Sequence, residues 1–248
     1  MKPVNVYTCL VVYLLLAAKT GFAGNTSDTL KSKPWKENHY VDMSLGMGQK
    51  IFTGSVAWHK MFNIAWKKRI RLGAGLRFNM ANLTDRTFVT AFPARPEGGS
   101  YDSLFLDDHT IYSLNLTFNA DISFTRWLDA GMNIDVVGVS FGETSDASYQ
   151  SATFSPSAST EQANPELLNV FLFGRNDRGS LNSQFYLRFW PGENFFVKAG
   201  FSIYHIIENT SNTLNFSNNR FFTDVNMGFV SLGWTPLRTA WITKNPKL

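Results

Sequence analysis

The chain has 248 residues, 17% of them charged and 15% aromatic, with a formal net charge of +4 and a mean hydropathy of −0.13. It lacks the several apolar runs of ~20 residues that a polytopic helical membrane protein needs, and its aromatic content excludes a disordered chain. This length suits one large domain or two small ones.

Residues 1–23 read MKPVNVYTCLVVYLLLAAKTGFA. Lys2 supplies a positive start, Val4 to Ala18 an apolar stretch that Lys19 closes, and Gly21 and Ala23 small residues at −3 and −1 of a cut after Ala23. This pattern predicts a secretory signal peptide. Cys9, the only cysteine, lies within it. The predicted mature chain, Gly24 to Leu248, therefore has neither a disulfide framework nor a thiolate metal site. Cleavage also removes Lys2 and Lys19, so the basic balance does not point to nucleic acid.

Residues 24–38 are polar, carry Lys31, Lys33, Pro34 and Lys36, and read as a linker. From His39 the chain alternates apolar and polar residues with period two, the signature of a strand with one apolar face. In Arg69–Met80 the apolar positions are Ile70, Leu72, Ala74, Leu76, Phe78 and Met80. In Tyr112–Phe124, Leu114, Leu116, Phe118, Ala120 and Ile122 oppose Ser113, Asn115, Thr117, Asn119 and Asp121. Shorter alternating runs surround Met43, Val56, Met132, Leu187, Phe201 and Met227, giving eight strands over residues 39–235. After Phe229 the apolar set moves to Val230, Leu232 and Trp234, which predicts a bulge. The tail 236–248 follows.

Short connections near Asn63–Trp66, Thr125–Trp127 and Pro191–Asn194 alternate with long ones over about Ala81–Asp108, Gly142–Asn182 and Glu208–Arg220. Short and long turns alternate in this way in a transmembrane antiparallel up-and-down β-barrel, an all-β fold. The polar faces carry Asp42, Asp121, Asp129, Asp135 and Asp224 against Arg69, Arg71, Arg77, Arg188 and Lys198. A narrow eight-stranded lumen can be filled by such a paired charge network. Trp66, Trp127, Trp190 and Trp234 fall at the short-turn rim, with Trp58 just above it, as membrane-interface aromatics do. The segment Gly142–Asn182 is polar and of low complexity as far as Pro165 and then apolar without alternation in ELLNVFLFGR. It reads as a surface loop ending in a short helix or hairpin over the barrel mouth. Two further readings stand beside that one: an exposed partner-binding patch, or extra strands that raise the count to ten.

With its signal peptide and the segments RIRLGAGLRF, YSLNLTFNADISF and VNMGFVSLGW, the chain resembles the small OmpA/OmpX-like outer-membrane β-barrel family of Gram-negative bacteria. The resemblance covers about Tyr40 to Trp234. It implies a bacterial outer-membrane location, outer-membrane lipid and lipopolysaccharide as surroundings, and an assembly machinery that reads a terminal aromatic. Trp234 or a neighbour must take that part, because TPLRTAWITKNPKL follows it. Some similar barrels are lipid A acyltransferases or deacylases with a His, a Ser and an acid near the outer leaflet. His205 with Glu208 and either Ser211 or Ser217 are the catalytic candidates by that likeness. His39 begins the first strand, His59 faces the lumen, and His109 starts the fourth strand on the outer side. No HExxH spacing or Gly-rich phosphate loop occurs, so no metal or cofactor is expected. The leading expectation is a non-enzymatic barrel serving envelope integrity or surface interaction through its loops. A lipid A-modifying enzyme and a narrow pore are the alternatives.

Overall fold

The computed structural model describes residues 37–65, 69–94, 101–152, 158–174 and 176–235. The predicted signal peptide, nearly all of the linker, Trp66 and the tail 236–248 lie outside the described residues. The strands are β1 (Glu37–Gly48), β2 (Ile51–Ala65), β3 (Ile70–Thr90), β4 (Ser103–Ser123), β5 (Leu128–Gly142), β6 (Ser145–Gln150), β7 (Ala158–Pro165), β8 (Leu168–Val170), β9 (Leu181–Phe189), β10 (Phe195–Thr210) and β11 (Arg220–Trp234).

Eight of them close a ring. Each of β1 to β4 pairs with the next, β5 pairs with β9, β9 with β10, β10 with β11, and β11 returns to β1. Every pairing is antiparallel. The period-two pattern dictates the faces. Leu114, Leu116 and Phe118 point outward and are exposed, whereas Asn115, Thr117 and Asn119 point inward and are buried. A closed ring leaves no open edge, so every backbone donor and acceptor along it can be met without water.

Above the ring the strands regroup. The β1–β2 connection is short, with Lys50 at a φ of 59°, so that hairpin ends early. Over its top β11 pairs directly with β3 through Phe221↔Thr90 and Phe222↔Val89. The upper part of β4 pairs with β6, β6 with β7, and β7 with the top of β10. The result is a second, six-stranded closure of β3, β4, β6, β7, β10 and β11 standing on the first. Its interior holds an apolar cluster: Leu83, Phe88, Leu104, Leu106, Ile111, Tyr149, Ile206 and Phe221 pack together and are buried.

The long connections expected from the sequence are mostly strand. β3 runs on to Thr90 and β4 begins at Ser103, because the alternation there inverts. Asp85 adopts a φ of 47°, which Asp tolerates better than most residues. Thr84–Asp85 on β3 and the facing Asp107–Asp108 on β4 place two consecutive residues outward. The parity of the inward face thereby changes while Leu83↔His109 and Arg86↔Leu106 keep the same register. The segment expected as a low-complexity loop is the β6–β7 hairpin, whose Ala147, Tyr149 and Ala163 enter the apolar cluster. The apolar stretch after it supplies β8, paired with Val137–Val139 of β5, and an exposed turn in which Phe173 is 88% accessible. The bulge expected in β11 is absent: its register with β10 is continuous from Arg220 to Trp234. Val225 and Met227 face inward into the apolar cluster, Phe229 faces inward below them in the ring, and Val230, Leu232 and Trp234 face outward.

Candidate functional site: a sealed lumen beneath a β-extension

Three ion-pair groups fill the lumen of the eight-stranded ring. Nearest the short turns, Arg71 Nη2 donates to Asp129 Oδ2 at 2.8 Å, and Arg188 reaches Asp121 Oδ2 at 2.5 Å and Asp129 Oδ2 at 2.9 Å. The hydroxyl of Tyr186 donates to Asp121 Oδ1 at 2.6 Å. A second group joins Asp42 to Lys198 Nζ at 2.6 Å, to His59 Nε2 at 3.0 Å and to the Ser231 hydroxyl at 3.1 Å. In the third, Asp135 accepts from Arg77 Nε at 2.9 Å and Nη2 at 2.6 Å, from Asn115 Nδ2 at 2.8 Å and from the Asn182 backbone at 2.9 Å. All these charged side chains are buried. Buried ions are tolerated when paired and hydrogen-bonded, and here four acids meet four bases.

An apolar lid closes each end of this network. At the short-turn end Tyr40, Met61, Trp190 and Phe196 form a buried cluster. The Arg188 guanidinium lies over the Tyr40 ring at 4.9 Å and over Trp190 at 5.2 Å, a cation–π arrangement. Gly233 is required here: a Cβ would collide with the Phe196 ring. At the other end the apolar interior of the six-stranded extension covers the lumen. Above it Asp102 accepts from the Tyr149 hydroxyl at 2.6 Å and from the Ala152 backbone at 2.8 Å.

Several site residues expected from the sequence stand elsewhere. Asp224 is not in the lumen: it is exposed on the outer wall, with His205 Nδ1 at 2.6 Å. Its inward neighbours Thr223 and Val225 take the interior positions. Arg69 lies half-buried in the turn before β3, at the rim. One acid and one base thus leave the lumen together, and the charge balance survives. Trp190 is not an interfacial aromatic. It is buried, and its Nε1 donates to Asp129 Oδ2 at 2.7 Å, because residue 190 falls on the inward parity of the chain leaving β9. Trp58, Trp127 and Trp234 are exposed on the outer face at the short-turn end.

His205 and Glu208 do not converge. Three residues apart on a strand they face opposite sides, so His205 lies on the outer wall and Glu208 points inside. His109 also points inside, in the body of β4 rather than at its start. It is 3.2 Å from Glu208 and 2.7 Å from the Ser145 hydroxyl. No spacing in the sequence announces that trio; it forms because β4, β6 and β10 meet in the extension.

The outer wall of the ring is a continuous apolar belt that includes Met43, Leu45, Leu76, Leu116, Leu187, Phe201 and Leu232, all exposed. Trp127 packs against Phe189 at its lower border, 5.7 Å between centroids. Phe78, Tyr112 and Phe141 stack at 6.2 and 5.7 Å towards the extension. Apolar outside, charged inside and bordered by aromatics, the ring defines a transmembrane β-barrel of the outer-membrane type.

No protein-family model and no curated protein matches the chain. Among solved structures it is similar to Ail, the attachment invasion locus protein of Yersinia pestis, at 13% identity and a TM-score of 0.33, over 80% of this chain and 97% of that one. Neisserial surface protein A is similar at 13% identity and a TM-score of 0.35, over 78% and 94%. A major outer membrane protein from Thermus thermophilus is similar at 12% and 0.37, over 80% and 99%. The barrel assignment stands on the strand pairing of this chain itself.

Proposed function

We propose that the protein is a sealed bacterial outer-membrane barrel that displays its six-stranded extension at the cell surface, in envelope integrity or surface interaction. One observation carries this reading: the extension is a closed β-structure with its own apolar core, raised on a lumen occupied by paired charges. Residues 1–23 act as the signal peptide of a Gram-negative host. The short turns face the periplasm, and lipid and lipopolysaccharide surround the apolar belt. The assembly machinery reads the outward Trp234 face of the last strand. An extracellular partner meets the extension rather than flexible loops.

The narrow-pore alternative is disfavoured by the two apolar lids. Fractionation and bilayer recording test the proposal together. The protein is expected in outer-membrane fractions, with the heat-dependent gel shift of a closed barrel, and without stable single-channel steps in planar bilayers. Recovery as a soluble periplasmic protein, or sizeable steady conductance, would overturn it.

A further inference from the structure

At one seam the barrel wall changes partners. β4 pairs with β5 as far as Ile111↔Gly142 and takes up β6 only from Leu106↔Ala147. Between these points β4 keeps its β3 pairing but has no strand partner on the other side, and a cavity of about 220 Å³ there is lined by Ser145, His109, Asn82, Thr110, Asp108 and Glu143. Ser145 and His109 line it, and the buried Glu208 stands behind them as the third group of a chain. Ser145 Oγ is 2.7 Å from His109 Nδ1, and His109 Nε2 is 3.2 Å from Glu208 Oε1. The side chains of His109 and Glu208 are 1% and 0% exposed. Among the described residues His109 Nε2 and both Glu208 carboxylate oxygens have no hydrogen-bond partner, so the buried carboxylate meets the imidazole through this 3.2 Å ion-pair contact. Asn82 Nδ2 donates to Thr110 Oγ1 at 3.0 Å, which leaves the Thr110 hydroxyl proton for an incoming oxygen. Tyr112, in the Phe78–Tyr112–Phe141 stack that borders the apolar belt, also lines the cavity. The opening therefore sits where acyl chains give way to polar headgroups.

We propose that Ser145, His109 and Glu208 form a nucleophilic relay that cleaves carboxylic esters of amphiphiles. A hydroxyl, a base within hydrogen-bond reach and a group that orients the base are the parts of an activated nucleophile. Ser145 Oγ attacks the ester carbonyl carbon as its proton passes to His109 Nδ1. The Glu208 carboxylate, 3.2 Å from Nε2, stabilises the imidazolium by its charge. The tetrahedral adduct collapses, the C–O bond to the alcohol breaks, and the departing alkoxide takes the proton from Nδ1, leaving Ser145 acylated. Water then attacks the acyl carbon, its proton passing to Nδ1 and on to Ser145 Oγ as the fatty acid leaves. Asp108 and Glu143 at the mouth repel anionic headgroups, so the substrate class is an ester with a neutral or amine-bearing head. The choice of an outer-leaflet lipid rests on the orientation proposed above; the ester cleavage does not.

The test uses the full mature chain refolded in detergent micelles, with the heat-dependent gel shift as the check on folding. A fluorophosphonate is expected to form an adduct on the Ser145 peptide, read by mass spectrometry. Hydrolysis of p-nitrophenyl butyrate is expected to fall by about 10²-fold or more in Ser145→Ala and in His109→Asn, and to be unchanged in Ser148→Ala. Glu208→Gln is expected to lower kcat with KM held, and Glu208→Asp to recover part of the loss, which marks Glu208 as a positioning residue. Release of fatty acid from phosphatidylethanolamine vesicles tests the lipid assignment separately. Butyrate ester cleavage without lipid release would overturn the outer-leaflet substrate alone. A folded barrel with no adduct at Ser145, or with hydrolysis indifferent to Ser145→Ala, would overturn the relay.

Discussion

Single residues separate the two faces of the wall sharply. Leu116 is 53% exposed on the outside, and Asn115 beside it is fully buried in the lumen. Leu116→Arg is expected to cost roughly 2–4 kcal/mol near the bilayer midplane, read as a lowered urea midpoint in bilayers. Asn115→Asp looks mild from the sequence, since arginines share its face. The structure reverses that expectation, because Asn115 Nδ2 donates to Asp135 at 2.8 Å and a carboxylate there would face another. A cysteine at Leu116 is expected to react with a lipid-phase maleimide and one at Asn115 to resist it; the opposite pattern would turn the barrel inside out. Arg77→Met leaves Asp135 buried without its cation and is expected to cost about 3–5 kcal/mol. Adding Asp135→Asn should return part of that loss, and a strictly additive double-mutant cycle would deny the coupling.

The extension contributes its own titration. Burial, then the hydrogen bond to Asp102, pushes the Tyr149 hydroxyl up to about 12 from its ordinary 10.0. Above pH 10 the unfolded chain loses this proton while the folded chain keeps it, so the stability contributed by Tyr149 declines between pH 10 and 12. The phenolate absorbance of wild type minus Tyr149→Phe is expected to rise with a midpoint near 12, and a midpoint at 10 would mean that the hydroxyl is solvated.

At the scale of elements, the β6–β7 hairpin decides whether the extension exists. Without Ser145–Asn164 neither β4 nor β10 has its upper partner, and Ala147, Tyr149 and Ala163 leave the apolar cluster. A flexible loop could be removed at little cost. Loss of a core hairpin is instead expected to leave the eight-stranded ring inserted and the stump of the extension open to protease on intact cells. Unchanged protease resistance would mean that the extension holds without it. The ring survives in this expectation because its strand pairings involve neither β6 nor β7.

For the whole molecule, sealing is shared between chemistries. The mid-lumen is filled by ion pairs, and each end by packed apolar side chains. Removing one lid alone therefore leaves the paired charges in place. The single substitution Phe196→Ala is expected to remain non-conducting in planar bilayers, and steady single-channel steps from it would show that the ion pairs do not block the lumen.

Period-two alternation by itself determined the barrel class, the count of eight membrane strands, the outward set of Leu114, Leu116 and Phe201, and the inward set of Asp42, Arg77, Asp121, Asp129 and Asp135. These follow from local geometry, because successive side chains on a strand must take opposite faces and lipid admits only the apolar one. Only the tertiary structure decided where that rule inverts. Above the belt water lies outside, so apolar residues turn inward. The same alternation then encodes Phe88, Leu104 and Val225 as core while placing Asp224 on the surface. The Ser145–His109–Glu208 contact belongs to this second kind of knowledge. Its members come from three strands brought together by long-range pairing, and no spacing along the chain records a distance across a barrel.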